Sequence, residues 1–318
     1  MEPSEPESSA EPDETGPRPI RWWLCLPIGA AAAALGLLPW VLSGMRLPLQ
    51  NLWATDTPPE SYPLVLLPFS QYALSIIAAL LIVGSAFAGV AARATRPVRR
   101  RPGTAWMLLG LLAVQVFAIA QTATVVRDGL EERPESTLYL AALVGIATLA
   151  VFVGLVVMLL VAAAPPGGAV IGLAITAVLT PGWVRLLLIH DLFPVVDPAS
   201  AQVLDLLRWL PAVLVGAAIA WAGVASVGRV LGALVALAVL WIGPALITAV
   251  SNAASSRVLA RDPVEMLDYA GDVFRAAVTD PSLALPPIIV AVVVAVLGLL
   301  GKLIVGRLGR EQAEPAAG

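Results

Sequence analysis

Residues 136–184, STLYLAALVGIATLAVFVGLVVMLLVAAAPPGGAVIGLAITAVLTPGWV, carry no charge between Glu135 and Arg185. A helix needs about 20 mainly apolar residues to cross a hydrocarbon layer about 30 Å thick, so this stretch is long enough to cross twice. Lipid offers no partner to backbone N–H and C=O groups, which makes such runs helices rather than loops. The run breaks at Pro165, Pro166, Gly167 and Gly168, because proline removes a helical donor and glycine favours a turn. Two antiparallel spans are expected, near 137–164 and 169–189.

The same pattern extends in both directions. No charge lies between Arg208 and Arg229, between Arg229 and Arg257, or between Asp280 and Lys302. Of 318 residues, 59% are apolar and 13% charged, against about a quarter charged in a soluble domain. Further spans are predicted near 22–43, 63–92, 104–126, 207–227, 230–250 and 282–304. The fold class is thus all-α: a polytopic transmembrane helix bundle of about eight spans within residues 20–306. The ten-residue alternation of a membrane barrel is missing. The weakest junction is the short turn at Ser226–Arg229 between spans six and seven.

The ends are polar. Residues 1–19 are rich in Glu, Pro and Ser and are expected to form a disordered acidic tail. Residues 307–318 form a second tail. An acidic start is wrong for a secretory signal, so the first apolar segment reads as a retained anchor, with cleavage after Ala30–Ala34 as the alternative. Arg93, Arg96, Arg99, Arg100 and Arg101 place the loop after span two in the cytoplasm. Both tails are then cytoplasmic, as are Arg18, Arg21, Arg229, Lys302, Arg307 and Arg310, while every acid outside the tails falls on the outer side. Trp22, Trp23, Trp40, Trp106 and Tyr139 fall near the expected interfaces, where aromatic belts form. Arginine outnumbers lysine eighteen to one; with the Ala, Gly and Val richness, this points to a GC-rich bacterial genome and a bacterial cytoplasmic membrane.

Residues 251–281 form the longest outer segment. Asp262, Pro263 and Glu265 make a helix start. Val264, Leu267, Gly271, Phe274 and Val278 recur at helical spacing. A short amphipathic helix on the outer surface or capping the bundle is expected; a plain connecting helix is the alternative. Segments 44–62 and 183–208 share a loose pattern (Arg46 and Arg185, then Asp56 and Asp197, then Leu67-Pro68 and Leu210-Pro211), which is either a faint internal repeat of the transporter kind or chance.

Chemistry is sparse. None of the 22 acids falls at mid-membrane depth, where ion-coupled carriers usually hold one. One cysteine, Cys25, and one histidine, His190, leave no disulfide, cysteine cluster or His-pair metal site. No cofactor motif is present, a net charge of −3 gives no reason to expect nucleic acid, and no nucleophile–base set argues for an enzyme. What remains is a polar group at the outer interface: Arg185, His190 and Asp191 at the end of span five, Asp205 and Arg208 at the start of span six, and Arg46, Gln71 and Gln121 at similar depth. Arginine's planar fork suits an anionic lipid headgroup, so Arg185 and Arg208, supported by Arg46, His190 and Asp205, are the candidate binding residues. Snorkelling beside nearby acids is the alternative. Pro39, Pro181, Pro211 and Pro244 in the outer halves of their spans predict kinks that open a cavity there. Small-residue stripes at Gly228, Gly232 and Ala236 and at Ser85 and Gly89 predict close helix packing. The residues support two functional readings. One is a bundle that binds or moves a lipid or hydrophobic anionic substrate at the outer leaflet. The other is a non-catalytic subunit or scaffold contacting other membrane proteins.

Overall fold

The computed structural model describes residues 21–48, 52–55, 58, 61–98, 102–192, 198–256 and 262–313. The tail 1–19, Asp56, Asp197 and the arginines at 99–101 lie outside the described residues. Among the described residues the regular structure is helical, with two isolated β-bridges in the connections. Among the described residues ten α-helices occur in order: α1 (Cys25–Leu42), α2 (Leu74–Ala94), α3 (Gly103–Gly129), α4 (Pro134–Ala163), α5 (Pro166–Ile189), α6 (Pro198–Leu207), α7 (Leu210–Ala222), α8 (Val227–Ser255), α9 (Pro263–Thr279) and α10 (Pro281–Ala313). Eight segments are long and apolar enough to cross a membrane: Trp22–Leu42, Leu74–Ala94, Gly103–Gly129, Pro134–Ala163, Pro166–Ile189, Ala201–Ala222, Val227–Ser255 and Pro281–Val305. The chain therefore has the make-up of a multi-pass membrane protein.

Most boundaries fall within a few residues of the apolar runs. Pro165 separates α4 from α5. The turn after α7 uses Gly223 at φ +73°, a conformation that costs side chains with a Cβ, so α7 and α8 are separate helices. The second span differs most. An apolar run starting at 63 predicted a helix there, but α2 begins at Leu74. Residues 63–70 are non-helical and largely buried, with Leu67, Phe69 and Ser70 almost inaccessible. Pro63 and Pro68 explain the departure, since each lacks the N–H a helix needs. Side chains of α3 replace the lost backbone bonds. Gln121 accepts from Leu66 N and donates to Leu64 O, both 3.0 Å, and Thr122 Oγ1 accepts from Leu67 N at 3.0 Å. Trp40 Nε1 donates to Val65 O at 2.8 Å. A second short pairing joins Trp53 to Leu130. Gln121 stands 18 residues into α3, about 27 Å along its axis, so the non-helical segment lies beside the last third of that helix. Buried non-helical backbone persists only where protein groups satisfy it.

The helices form two clusters joined by α5. In the first, α2 is wrapped by α1, α4, α5 and α3, and 72% of its apolar window is buried. Glycines allow backbone contact: Gly29 faces the Met107 carbonyl, Gly110 the Leu26 carbonyl, Gly36 the Leu80 carbonyl, and Gly89 the Met158 carbonyl. In the second, α7 packs on α10 and α5, and α8 packs on α5 and α9. Gly228 and Gly232 meet Gly167, and Gly216 meets the Ala291 carbonyl. The two small-residue stripes therefore serve packing inside the chain. The burial of α8 and α10 is low, at 22% and 11% of their windows.

The helix α9 starts as expected: Asp262 accepts from Val264 N at 3.0 Å and Glu265 N at 3.1 Å. It packs along α8, where Trp241 Nε1 donates to Val278 O at 3.0 Å. Met266, Ala270, Val273, Phe274, Ala277 and Val278 are half-buried, whereas Val264 and Leu267 remain 69% and 72% exposed. The packed face is thus rotated from the stripe the sequence predicted, keeping Phe274 and Val278 and replacing Val264 and Leu267 with Met266, Ala270, Val273 and Ala277.

Candidate functional site

The bundle has two chemically different ends. One carries Arg21, Arg93, Arg96, Arg229 and Lys302, and is called the basic end. Every carboxylate whose side chain is described lies at the other end or on α9. There, arginines sit beside acids: Arg127 on Asp128 at 3.2 Å, Arg133 on Glu131 at 2.8 Å, Arg208 on Asp205 at 3.1 Å and Arg275 on Asp272 at 2.9 Å. No ion pair is found for Arg93, Arg96, Arg229 or Lys302 among the described residues.

The five residues singled out in the sequence divide into local groups. Asp205 and Arg208 pair across the break between α6 and α7, both 61% exposed, and Arg208 stacks over Trp209 at 4.8 Å. Arg185 donates to Asp191 O and Leu192 O at 3.3 Å each, closing the end of α5. His190 is the exposed, left-handed residue that ends α5, at φ 56°, with its N–H on Leu186 O at 3.0 Å. Arg46 belongs to the α1–α2 connection, bridged to Leu64. Arg185 and Arg208 thus use different local partners. Gln121 is the clasp on the non-helical segment 63–70. Pro39, Pro181 and Pro244 do lie inside helices, while Pro211 stands in the first turn of α7.

A crevice of about 460 Å³ opens between α2, α5 and α7, a size that suits small-molecule binding. Leu173, Thr176, Ala177 and Thr180 of α5 form its floor. Val83, Ala86, Phe87 and Val90 of α2 face Leu214, Ala217, Ala218 and Trp221 of α7 across it. The floor hydroxyls are already satisfied: Thr176 donates to Gly172 O and Thr180 to Thr176 O, both 2.9 Å. The crevice therefore presents an apolar surface. At one end Trp183 is fixed by its Nε1 donating to Gly36 O at 2.8 Å and by an edge contact from Phe87 at 5.9 Å. At the basic end Arg93 bridges the walls, its Cζ 5.3 Å from the Trp221 ring centroid. A second crevice, about 420 Å³, lies across α5 between α2, α4 and α8, and no charged residue lines it.

Comparison with protein-family models, with curated proteins and with solved structures gives no match. A functional reading therefore rests on the geometry of the residues themselves. The crevice is not legible in the sequence because its walls come from helices far apart in the chain. Arg93, Arg229 and Lys302 were legible only as markers of orientation. The available signal was that, outside the two tails, no acid falls on their side of the map.

The deepest polar cluster is structural in form. Gln115 Nε2 donates to Leu81 O at 2.8 Å and to Ser85 Oγ at 3.2 Å. Its Oε1 has no partner among the described residues. It ties α3 to α2 where Gly154 of α4 leaves room for Ser85. Among the described residues no group of His, Cys, Asp and Glu is placed to hold a metal.

Proposed function

We propose that this chain binds or moves a lipid or another hydrophobic ligand, and that the α2–α5–α7 crevice receives the ligand's hydrocarbon chain. The observation that carries this reading is an apolar groove with satisfied hydroxyls on its floor and tryptophans at both ends. Tryptophan's amphipathic ring suits a boundary between hydrocarbon and polar layers. The groove's orientation follows from the positive-inside tendency: both tails and the basic end face the cytoplasm of a bacterial cell, and α9 faces outward. Cysteine placed at position 99 is then labelled only after the membrane is made permeable. The test of the groove is a phospholipid with a photoreactive acyl chain. Cross-links are expected in the peptides holding Thr176–Trp183 and Leu214–Trp221. Labelling spread evenly over α8 and α10 instead would remove the support.

The outer arginines Arg185 and Arg208, with Arg46, His190 and Asp205, remain a proposal for a second contact with an anionic headgroup. Native mass spectrometry of Arg185→Ala plus Arg208→Ala tests it through loss of bound lipid. A second reading, a non-catalytic subunit of a larger membrane complex, is favoured by the exposed apolar flanks of α8 and α10. Copurification of a stoichiometric partner from detergent would support it.

A further inference from the structure

Three of the positive charges at the basic end meet the end of α7. Helix α7 ends at Ala222 with its last carbonyls unpaired within the helix, as helix ends do, and the end of a helix dipole attracts cations. Lys302 reaches from α10 to donate Nζ to Trp221 O at 2.8 Å. Arg229 comes from the start of α8: a Cβ at Gly223 would stand 3.7 Å from its Nη1. Arg93 comes from α2 and stacks on Trp221. It also donates Nε to Val161 O and Nη2 to Ala164 O, 2.5 Å each, closing the end of α4. Those bonds use two of the five N–H groups of a guanidinium.

Three helices thus deliver three cations to the same helix end. No carboxylate is paired with them among the described residues, in contrast to the opposite end. Trp221 belongs both to this cluster and to the crevice wall. An anion held there would continue directly into an apolar groove. We propose that this is a site for an anionic glycerophospholipid, with the phosphate between Arg93, Arg229 and Lys302 and one acyl chain along Phe87, Ala217 and Thr180. The assignment rests on the crevice as a lipid groove and adds the headgroup class and the leaflet, which is the one facing the basic end. Basic pockets between membrane helices recognise anionic headgroups by this chemistry, and arginine supplies paired donors to phosphate.

Native mass spectrometry of the full-length protein, titrated with phosphatidylglycerol and phosphatidylethanolamine of equal chain length, tests it. The wild type is expected to retain phosphatidylglycerol at least about tenfold better. Arg229→Gln with Lys302→Gln brings the two lipids to similar retention while total bound lipid persists. Ala217→Trp fills the groove without touching charge and lowers both. A selectivity unchanged in the charge variant overturns the headgroup assignment but leaves the crevice standing. Total lipid unchanged in Ala217→Trp overturns the crevice itself. Loss of selectivity in Arg185→Ala plus Arg208→Ala, with the basic-end variant unaffected, moves the headgroup to the other end. Displacement of the lipid by glycerol 3-phosphate at equal concentration replaces it with a soluble phosphate. Deleting residues 2–14, which hold six carboxylates, leaves the selectivity in place; lipid that binds only after this deletion makes the acidic tail the occupant.

Discussion

The two clusters on either side of α5 are built from the same residue types and hold together differently. In the first, α2 is surrounded, and 72% of its apolar window is shielded by protein; in the second, α10 is 11% shielded and rests mainly on α7. Soluble proteins do not leave a helix so bare, because water drives apolar faces together. Lipid tails are as apolar as leucine, so helices in a bilayer associate only where backbones come close or polar groups bond. The first cluster has both: Gly29, Gly36, Gly89 and Gly110 against carbonyls, and Gln115 bonded to Leu81 and Ser85. The second relies on Gly167 with Gly228 and Gly232, on Gly216 with Ala291, and on Lys302 at the end of α7. Stability in this chain is therefore set by where small residues meet, not by how apolar a helix is.

Five substitutions would break or sharpen that contrast. The largest effect is expected from Gly29→Leu. Even a Cβ there would collide with the Met107 carbonyl, and backbone cannot yield as a side chain can, so a loss of about 3 kcal/mol or more is expected in detergent unfolding. Gly301→Leu on α10 meets nothing and should stay within about 0.5 kcal/mol. Equal effects of the two would remove the distinction between the clusters.

Gln121→Leu comes next. It leaves the part-buried Leu66 N and the more exposed Leu64 O without their partner, a loss of about 1 kcal/mol in all, since only a fully buried orphan costs more. Hydrogen exchange should rise at residues 64–67 well before it rises in α2. Uniform exchange across both would mean that the non-helical segment and the helix unfold as one.

A smaller, pH-dependent effect belongs to the α9–α10 junction. Ser282 donates its hydroxyl to the Asp280 carboxylate at 2.7 Å and its backbone N–H at 2.9 Å, which holds this carboxyl below the usual range. A lowered folded pKa contributes stability at pH above the unfolded value, about 4, and that stability is lost as pH falls through the folded value. Exchange at Ser282, corrected for intrinsic rate, should therefore increase only in acid, and Asp280→Asn should abolish the step. An effect nearly as small as that of Gly301→Leu is expected for Asp205→Asn, which breaks an exposed pair with Arg208 and should change unfolding by about 0–1 kcal/mol. A larger loss would show that this pair does more than its exposed geometry implies.

The contrast also bears on which residues invite a functional reading. Arg185 and Arg208 stood out in the sequence because they lie at helix ends beside His190 and Asp205. The fold gives each a local partner: backbone carbonyls for Arg185 and a carboxylate for Arg208. The cations without acids lie at the other end, where sequence reading assigned them only to orientation.

The features that the sequence determined by itself obey one-dimensional rules. Long uncharged runs must become helices because lipid cannot bond a bare backbone. Pro165 and Pro166, like Asp262 and Pro263, set boundaries through local backbone chemistry and were legible residue by residue, whereas Gly167 and Gly168 fall inside α5. Pro63 and Pro68 bar a helix over residues 63–70 locally, but only the tertiary structure decided how that segment is held, by Gln121 and Thr122, 55 or more residues away in the chain. Only the fold likewise placed Phe87, Thr180 and Ala217 around one groove and brought Arg93, Arg229 and Lys302 to the end of α7. Depth along each helix is written in the local pattern of residues. Which helix stands beside which depends on contacts between distant small side chains, and no local periodicity encodes that.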